Sequence, residues 1–218
     1  MDSSPSALTA FERRFLERFF AAVHGFYLTG GGALALHLGH RRSLDLDLFT
    51  TDEAAFRAAV ASLPVIASEL GGRAEVLTDA PAFRRVLLVG PDGETVRVDL
   101  VRDVAERAGP PPRETSGLWL DPPEEIVVNK VCAIVGRSEL RDLVDLFCLE
   151  RAGYRVLDVL DAARRKDPGV TPANLAWAIA QVRLDRLPEG LLVAVSLEEL
   201  RRFTAGLLGD LERLSFPR

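Results

Sequence analysis

LTGGGALALHLGHRRSLDLDLF, residues 28–49, sets three glycines ahead of a short apolar run and then places two carboxylates on alternate positions. Ala33 to Leu38 is short and almost wholly apolar, and Gly39 suits a left-handed cap, so the run predicts a short buried helix led by the glycines. From Ser43 to Phe49 the pattern changes to period two. Leu44, Leu46 and Leu48 fall on one face and Ser43, Asp45 and Asp47 on the other, which predicts a half-buried strand. HGFYL, just upstream, reads as a short strand entering the glycines.

Residues two apart on a strand lie about 6–7 Å apart on one face, so Asp45 and Asp47 repel unless something positive sits over them. Aspartate is also a poor strand former, which makes two of them here unexpected on propensity alone. A divalent cation turns that repulsion into binding, and hard oxygen ligands suit Mg²⁺, with Mn²⁺ as the alternative. In TVRVDLV, residues 95–101, Val96, Val98 and Leu100 share one face while Arg97, Asp99 and Val101 share the other; Asp99 is thus a third carboxylate on an alternating strand. A helix beginning after Gly30, Gly31 and Gly32 would aim unpaired backbone N–H groups and its positive end at an incoming phosphate. The run is not a Walker loop, since no GK[ST] follows, and GGGALA lacks the spacing of a dinucleotide fingerprint.

Working outward, Thr9 and Glu12 fit a capping box for an amphipathic helix over residues 6–24, with Phe11, Phe15, Phe19 and Val23 at helical spacing. Residues 51–70 predict another helix, capped by Thr51 or Asp52. Strands follow at 73–78, 83–89 and 95–101, the last two joined at Pro91-Asp92-Gly93. AGPPPRETSG, residues 108–117, reads as a linker, and the pattern beyond it is helical: from Pro122 and Pro123 to Val135, from a Ser138 cap to Glu150, Tyr154 to Arg165, Pro172 to Val182, and a last helix opened by Ser196 and Glu199. The expectation is an α+β region over residues 1–107 and a helical region over 118–218 that contributes to a common cleft.

The 218-residue chain is 48% hydrophobic, enough to fill a core, and its net charge of -5 argues against indiscriminate nucleic-acid binding. No apolar run approaches a membrane span and MDSSPSALTAFERRF lacks the pattern of a signal peptide, so the expected location is the cytoplasm, without a membrane partner. Cys132 and Cys148 read as reduced packing residues. Only two of the 27 basic residues, Lys130 and Lys166, are lysines, which makes each more informative. Val127, Val131 and Ile134 share the face of Lys130, which places its ammonium in a cleft or at a domain boundary. Asp142 and Asp145 read equally as helix charges paired with Arg141 or Arg137. His24, His37 and His40 form no ligand set and read as structural, and Trp119 and Trp177 as core or interface residues.

GGGALALHLGHRRSLDLDLF resembles the first motif of the AbiEii/AbiGii-type nucleotidyltransferases of the DNA polymerase β-like superfamily, a glycine turn and short helix followed by R-x-S-x-D-x-D. Arg41, Ser43, Asp45 and Asp47 match it, and Asp99 stands where the family has its third strand carboxylate. EEIVVNKVCAIVGRSELRDLVDLFCL resembles the family's helical motif, a lysine followed by R-D-x-x-D, matched by Lys130, Arg141, Asp142 and Asp145. The resemblance covers about residues 8–150 and implies a polymerase β-like fold with a mixed sheet flanked by helices, followed by an all-α half. It also implies a Mg²⁺-dependent transfer of NMP from an NTP to an acceptor hydroxyl on tRNA or protein, by the toxin of a toxin–antitoxin or phage-defence pair with a cognate antitoxin. Asp45, Asp47 and Asp99 would hold metal; Gly30, Gly31, Gly32, Arg41, Ser43 and Asp145 would bind nucleotide; Lys130 and Asp142 would act with the carboxylates in catalysis. Gly32 stands where relatives often carry a hydroxyl. The alternatives are transfer to a small molecule of the aminoglycoside type, or a noncatalytic nucleotide- or protein-binding module.

Overall fold

The computed structural model describes residues 7–215. They divide into two compact units, one running to Ala105 and including Pro111–Pro122, the other formed by Glu106–Pro110 and the chain from Pro123 onward.

The first unit opens with α1 (Ala10–Ala22), whose capping box is complete: Thr9 Oγ1 accepts from the Glu12 N–H at 3.1 Å, and Glu12 accepts from the Thr9 N–H at 2.8 Å. The expected start of this helix at residue 6 lies outside the described residues. Phe15, Leu16 and Phe19 are fully buried, and Phe19 meets the rings of Phe20 and Phe26 edge-on. β1 (Tyr27–Thr29) leads into α2 (Gly30–Leu38) without a loop. The glycines are therefore the first turn of the helix rather than a turn ahead of it. Thr29 is still extended, and Gly30 at φ +61° makes the change of direction that a side chain would oppose. Gly39 ends the helix in the left-handed conformation, as expected.

β2 (Asp45–Thr50), α3 (Glu53–Glu69), β3 (Arg73–Ala80), β4 (Phe83–Val89) and β5 (Thr95–Arg102) follow, with the Asp52 side chain capping α3. β2 starts at Asp45, so Leu44 precedes the strand and is exposed rather than inward. The segment expected to be a linker holds two further strands, β6 (Arg113–Thr115) and β7 (Leu118–Leu120). Ser116 at φ +52° and Gly117 at φ +81° supply the two left-handed residues that a tight hairpin needs, so the Ser-Gly pair was a turn signal. The mixed seven-stranded sheet has the order β3-β4-β5-β2-β1-β7-β6. β2 and β5 run parallel, pairing Leu46 with Val98 and Leu48 with Leu100, and all four are fully buried. The opposite parity of the same strands carries the charges.

The second unit comprises α4 (Pro123–Arg137), α5 (Leu140–Arg151), α6 (Leu160–Lys166) after a 3-10 turn, α7 (Pro172–Ala180) and α8 (Leu197–Ser215). Ile126, Val131, Ile134, Leu143, Leu175 and Leu200 are among its core residues. Ser138 does not cap α5: it sits at φ +50° and Glu139 takes the N-cap position without a side-chain bond. The third helix is shorter than expected because Tyr154 precedes the 3-10 turn. α8 has its Ser196–Glu199 capping box. Trp119 and Trp177 are exposed, against the core reading. Neither cysteine is in a disulfide, and burial pushes the Cys132 thiol up to about 11, which leaves it inert. No described helix is long and apolar enough to cross a membrane.

Candidate active site

The sheet of the first unit lines up a polar row across four strands. Thr29 on β1 is opposite Asp47 on β2, Asp47 is in register with Asp99 on β5, and Asp99 is opposite Arg85 on β4. Neighbouring strands lie about 4.8 Å apart, so register partners present side chains to the same face at close range. One step along, Asp45 on β2 is in register with Arg97 on β5. The three carboxylates expected from the sequence thus share one face. Two arginines that the motif did not name share it with them, although strict alternation had already put Arg97 on the side of Asp99.

Both arginines are paired. Arg85 donates through Nε and Nη2 to the two oxygens of Asp99, at 2.8 and 2.6 Å, the fork geometry that suits a carboxylate. Arg97 donates through Nη2 to Asp45 Oδ2. The Asp99 hydrogen bonds raise the Arg85 guanidinium above its ordinary value against the effect of burial, and the charges of Asp45 and Asp47 reach it as well. These residues form one electrostatic cluster.

The glycines seat this cluster on the backbone. A Cβ on Gly30 would collide with Asp47 Oδ2, and one on Gly31 would lie 2.7 Å from Arg41 Nη2 and 3.3 Å from Ser43 Oγ. Gly32 faces Leu28 and the Asp45 carbonyl, so the missing side chain there points toward β1. The space left by the glycines is therefore taken by Asp47, Arg41 and Leu28 rather than standing open. Arg41 is buried and donates to the Arg42 carbonyl at 2.9 Å, while Arg42 is exposed. Ser43 Oγ donates to the Asp45 carbonyl at 2.8 Å, holding the entry to β2. Sequence reasoning missed Asp121, which is buried at the end of β7 and accepts from Thr29 Oγ1 at 2.6 Å. His37 reaches the Asp121 carbonyl at 2.9 Å, consistent with its structural reading.

The donor set is of the type that suits a hard divalent cation: three carboxylates on adjacent strands, two of them half-buried. As they stand, no three His, Cys, Asp or Glu side chains among the described residues are gathered closely enough to hold an ion.

In the second unit the helical motif forms a buried ion cluster. Lys130 Nζ lies 2.9 Å from Asp142 Oδ1 and 2.6 Å from Asp145 Oδ2, and both aspartates are fully buried. Arg137 grips Asp142 through Nε and Nη2 at 2.7 and 2.9 Å. Burial would raise the Asp142 carboxyl, but Arg137 and Lys130 outweigh it and hold it below the ordinary aspartate range. Arg141 pairs with Glu139 instead. The other lysine plays a similar part: Lys166 Nζ donates to Glu125 and Asn129 at 2.6 Å each, and Glu125 accepts from the backbone N–H groups of Ala108 and Gly109. A compact ammonium with three donors suits both positions in a chain otherwise committed to arginine.

No curated protein sequence matches the chain. Solved structures resemble it, among them two across nearly its whole length. An H. pylori protein assigned as a nucleotidyltransferase superposes with TM-score 0.59 at 20% identity, covering 94% of each chain. MenT4, a nucleotidyltransferase toxin from Mycobacterium tuberculosis, superposes with TM-score 0.58 at 17% identity, covering 93% of this chain and 85% of its own. At such identities they show the fold, which is that of nucleotidyltransferase toxins with a helical C-terminal region. Residues 14–217 match the family model described as nucleotidyl transferase AbiEii toxin, type IV toxin–antitoxin system. With nearly the whole chain matched, the protein belongs to the AbiEii family of nucleotidyl transferase toxins and is a nucleotidyltransferase.

Proposed function

We propose that the protein transfers an NMP group from an NTP to an acceptor hydroxyl on tRNA or protein in a Mg²⁺-dependent reaction, and that it is the toxin held in check by a cognate antitoxin. The observation that carries this reading is the register of Asp47 with Asp99 on adjoining parallel strands, with Asp45 one pleat away and the carboxylate of Asp47 seated on the first glycine of α2. Asp45, Asp47 and Asp99 would hold the metal, which when bound polarises phosphoryl oxygens and neutralises developing charge. The acceptor oxygen bonds to the α-phosphorus as the α,β-anhydride breaks, pyrophosphate leaves with the electron pair, and the acceptor proton passes to a carboxylate, for which Asp99 is our candidate. Gly30, Gly31, Gly32, Arg41 and Ser43 would position the triphosphate at the head of α2. By the resemblance, Lys130 and Asp142 would act in catalysis and Asp145 would bind nucleotide, and the ion pairs of Lys130 with both aspartates would fix the orientation of its ammonium. The toxin role and its antitoxin rest on the family and are in keeping with the MenT4 fold.

The test is incubation with Mg²⁺ and each of four α-radiolabelled NTPs, with total tRNA and protein as acceptors. Wild type should label one acceptor class, and Asp47→Asn should lose about a thousand-fold or more of that activity while melting normally. Full activity in Asp47→Asn would refute the metal assignment. Nucleotide binding without any pyrophosphate release would favour a noncatalytic module.

A further inference from the structure

Arg85 and Arg97 lie outside both family motifs, yet they contact two of the three carboxylates. Their side chains are 36% and 37% exposed, against 8% for Asp99 and 22% for Asp45, so the arginines form the more exposed layer of the cluster. Arg85 engages both oxygens of Asp99 and Arg97 engages Oδ2 of Asp45, which occupies three of the carboxylate oxygens a cation would bind and adds two positive charges beside its place. A cation arriving alone must therefore displace two charge-assisted hydrogen bonds and meet two like charges. A triphosphate changes that balance, because its oxygens offer the guanidiniums an equivalent bidentate partner within the same layer.

We infer that Arg85 and Arg97 are positioning residues that couple metal binding to nucleotide binding, each holding its carboxylate until a triphosphate draws the guanidinium away. This rests on the nucleotidyl-transfer reading of the same face and names its order of assembly: metal enters with, or after, the triphosphate. The exchange forms and breaks no covalent bond. Each guanidinium keeps its charge throughout and trades a carboxylate oxygen for a phosphate oxygen, and the freed carboxylates turn to the metal. Because coupling is reciprocal, nucleotide should tighten metal by the same factor as metal tightens nucleotide.

The test is Mn²⁺ binding to the full chain followed by electron paramagnetic resonance, with and without the α,β-methylene analogues of the four NTPs, which cannot transfer. Wild type should bind Mn²⁺ alone weakly and at least about ten-fold more tightly in the ternary complex. The double variant Arg85→Gln with Arg97→Gln keeps a hydrogen-bond donor for each carboxylate but removes both charges. It should bind Mn²⁺ alone about ten-fold more tightly than wild type, lose most of the coupling, and show a raised KM for NTP. Arg85→Lys with Arg97→Lys restores the charge and should return weak metal binding, a reversal that a purely structural role would not give and that also controls for folding. Unchanged Mn²⁺ affinity and coupling in the Gln variant would overturn this inference alone. Absence of Mn²⁺ and analogue binding by wild type would overturn the nucleotide reading together with it.

Discussion

The two charge clusters of this protein are built from similar parts and differ in depth. On the sheet, three carboxylates meet two arginines whose side chains stay 36% and 37% exposed, so these pairs are less withdrawn from water. Between α4 and α5, Lys130 and two fully buried aspartates are withdrawn from water, and there a broken pair leaves an uncompensated charge. Half-exposed pairs of this kind suit a site that must open, whereas buried ones hold helices in a single arrangement.

Removing the ammonium tests that contrast most severely. Lys130→Met should destabilise the fold by about 3–5 kcal/mol, read from urea unfolding followed by circular dichroism. Loss of less than the few tenths expected of a surface pair would put the two clusters on the same footing. Acid should discriminate next. Asp142 is held below its ordinary value of 3.8, so its contribution to stability is fully present above that value and disappears as pH falls through the lower folded one. Wild type should lose melting temperature below about pH 4, and Asp142→Asn, less stable at neutral pH, should show a flatter acid limb. On the sheet side, Gly30→Ala places a Cβ at positive φ and against Asp47. It should cost about 1–2 kcal/mol from the backbone alone, with a further loss of metal affinity as Asp47 is pushed aside. Gly32→Ser should be the mildest change. Its Cβ would meet Leu28 at 3.3 Å, on the side of β1, so nucleotide affinity should stay within about two-fold of wild type; a ten-fold gain by calorimetry would return Gly32 to the phosphate path.

Much of the α/β half was legible because its signals are local. The Thr9–Glu12 box, the Gly39 cap, the Pro91-Asp92-Gly93 turn, the alternation through Asp45 and Asp47 and the separate alternation around Asp99 each rest on residues within one turn or pleat of one another. β6 and β7 escaped because three residues each are too few for a period to register, and the prolines beside them read as linker. Ser138 misled because serine is a common cap, whereas here the backbone turns left-handed one residue before the helix.

By itself the sequence determined which side chains share a parity, where the chain must turn, and which residue types stand ready for phosphate and metal, since these follow from the periods of helix and strand and from the backbone freedom of glycine. Only the tertiary structure decided that β5 lies beside β2 in parallel, bringing Asp99 level with Asp47, and that β4 adds Arg85 to the same row. Strand order and register join residues 14 to 52 positions apart. Those partnerships are set by which faces must be buried together, and no local pattern records which distant charge will be across the pleat.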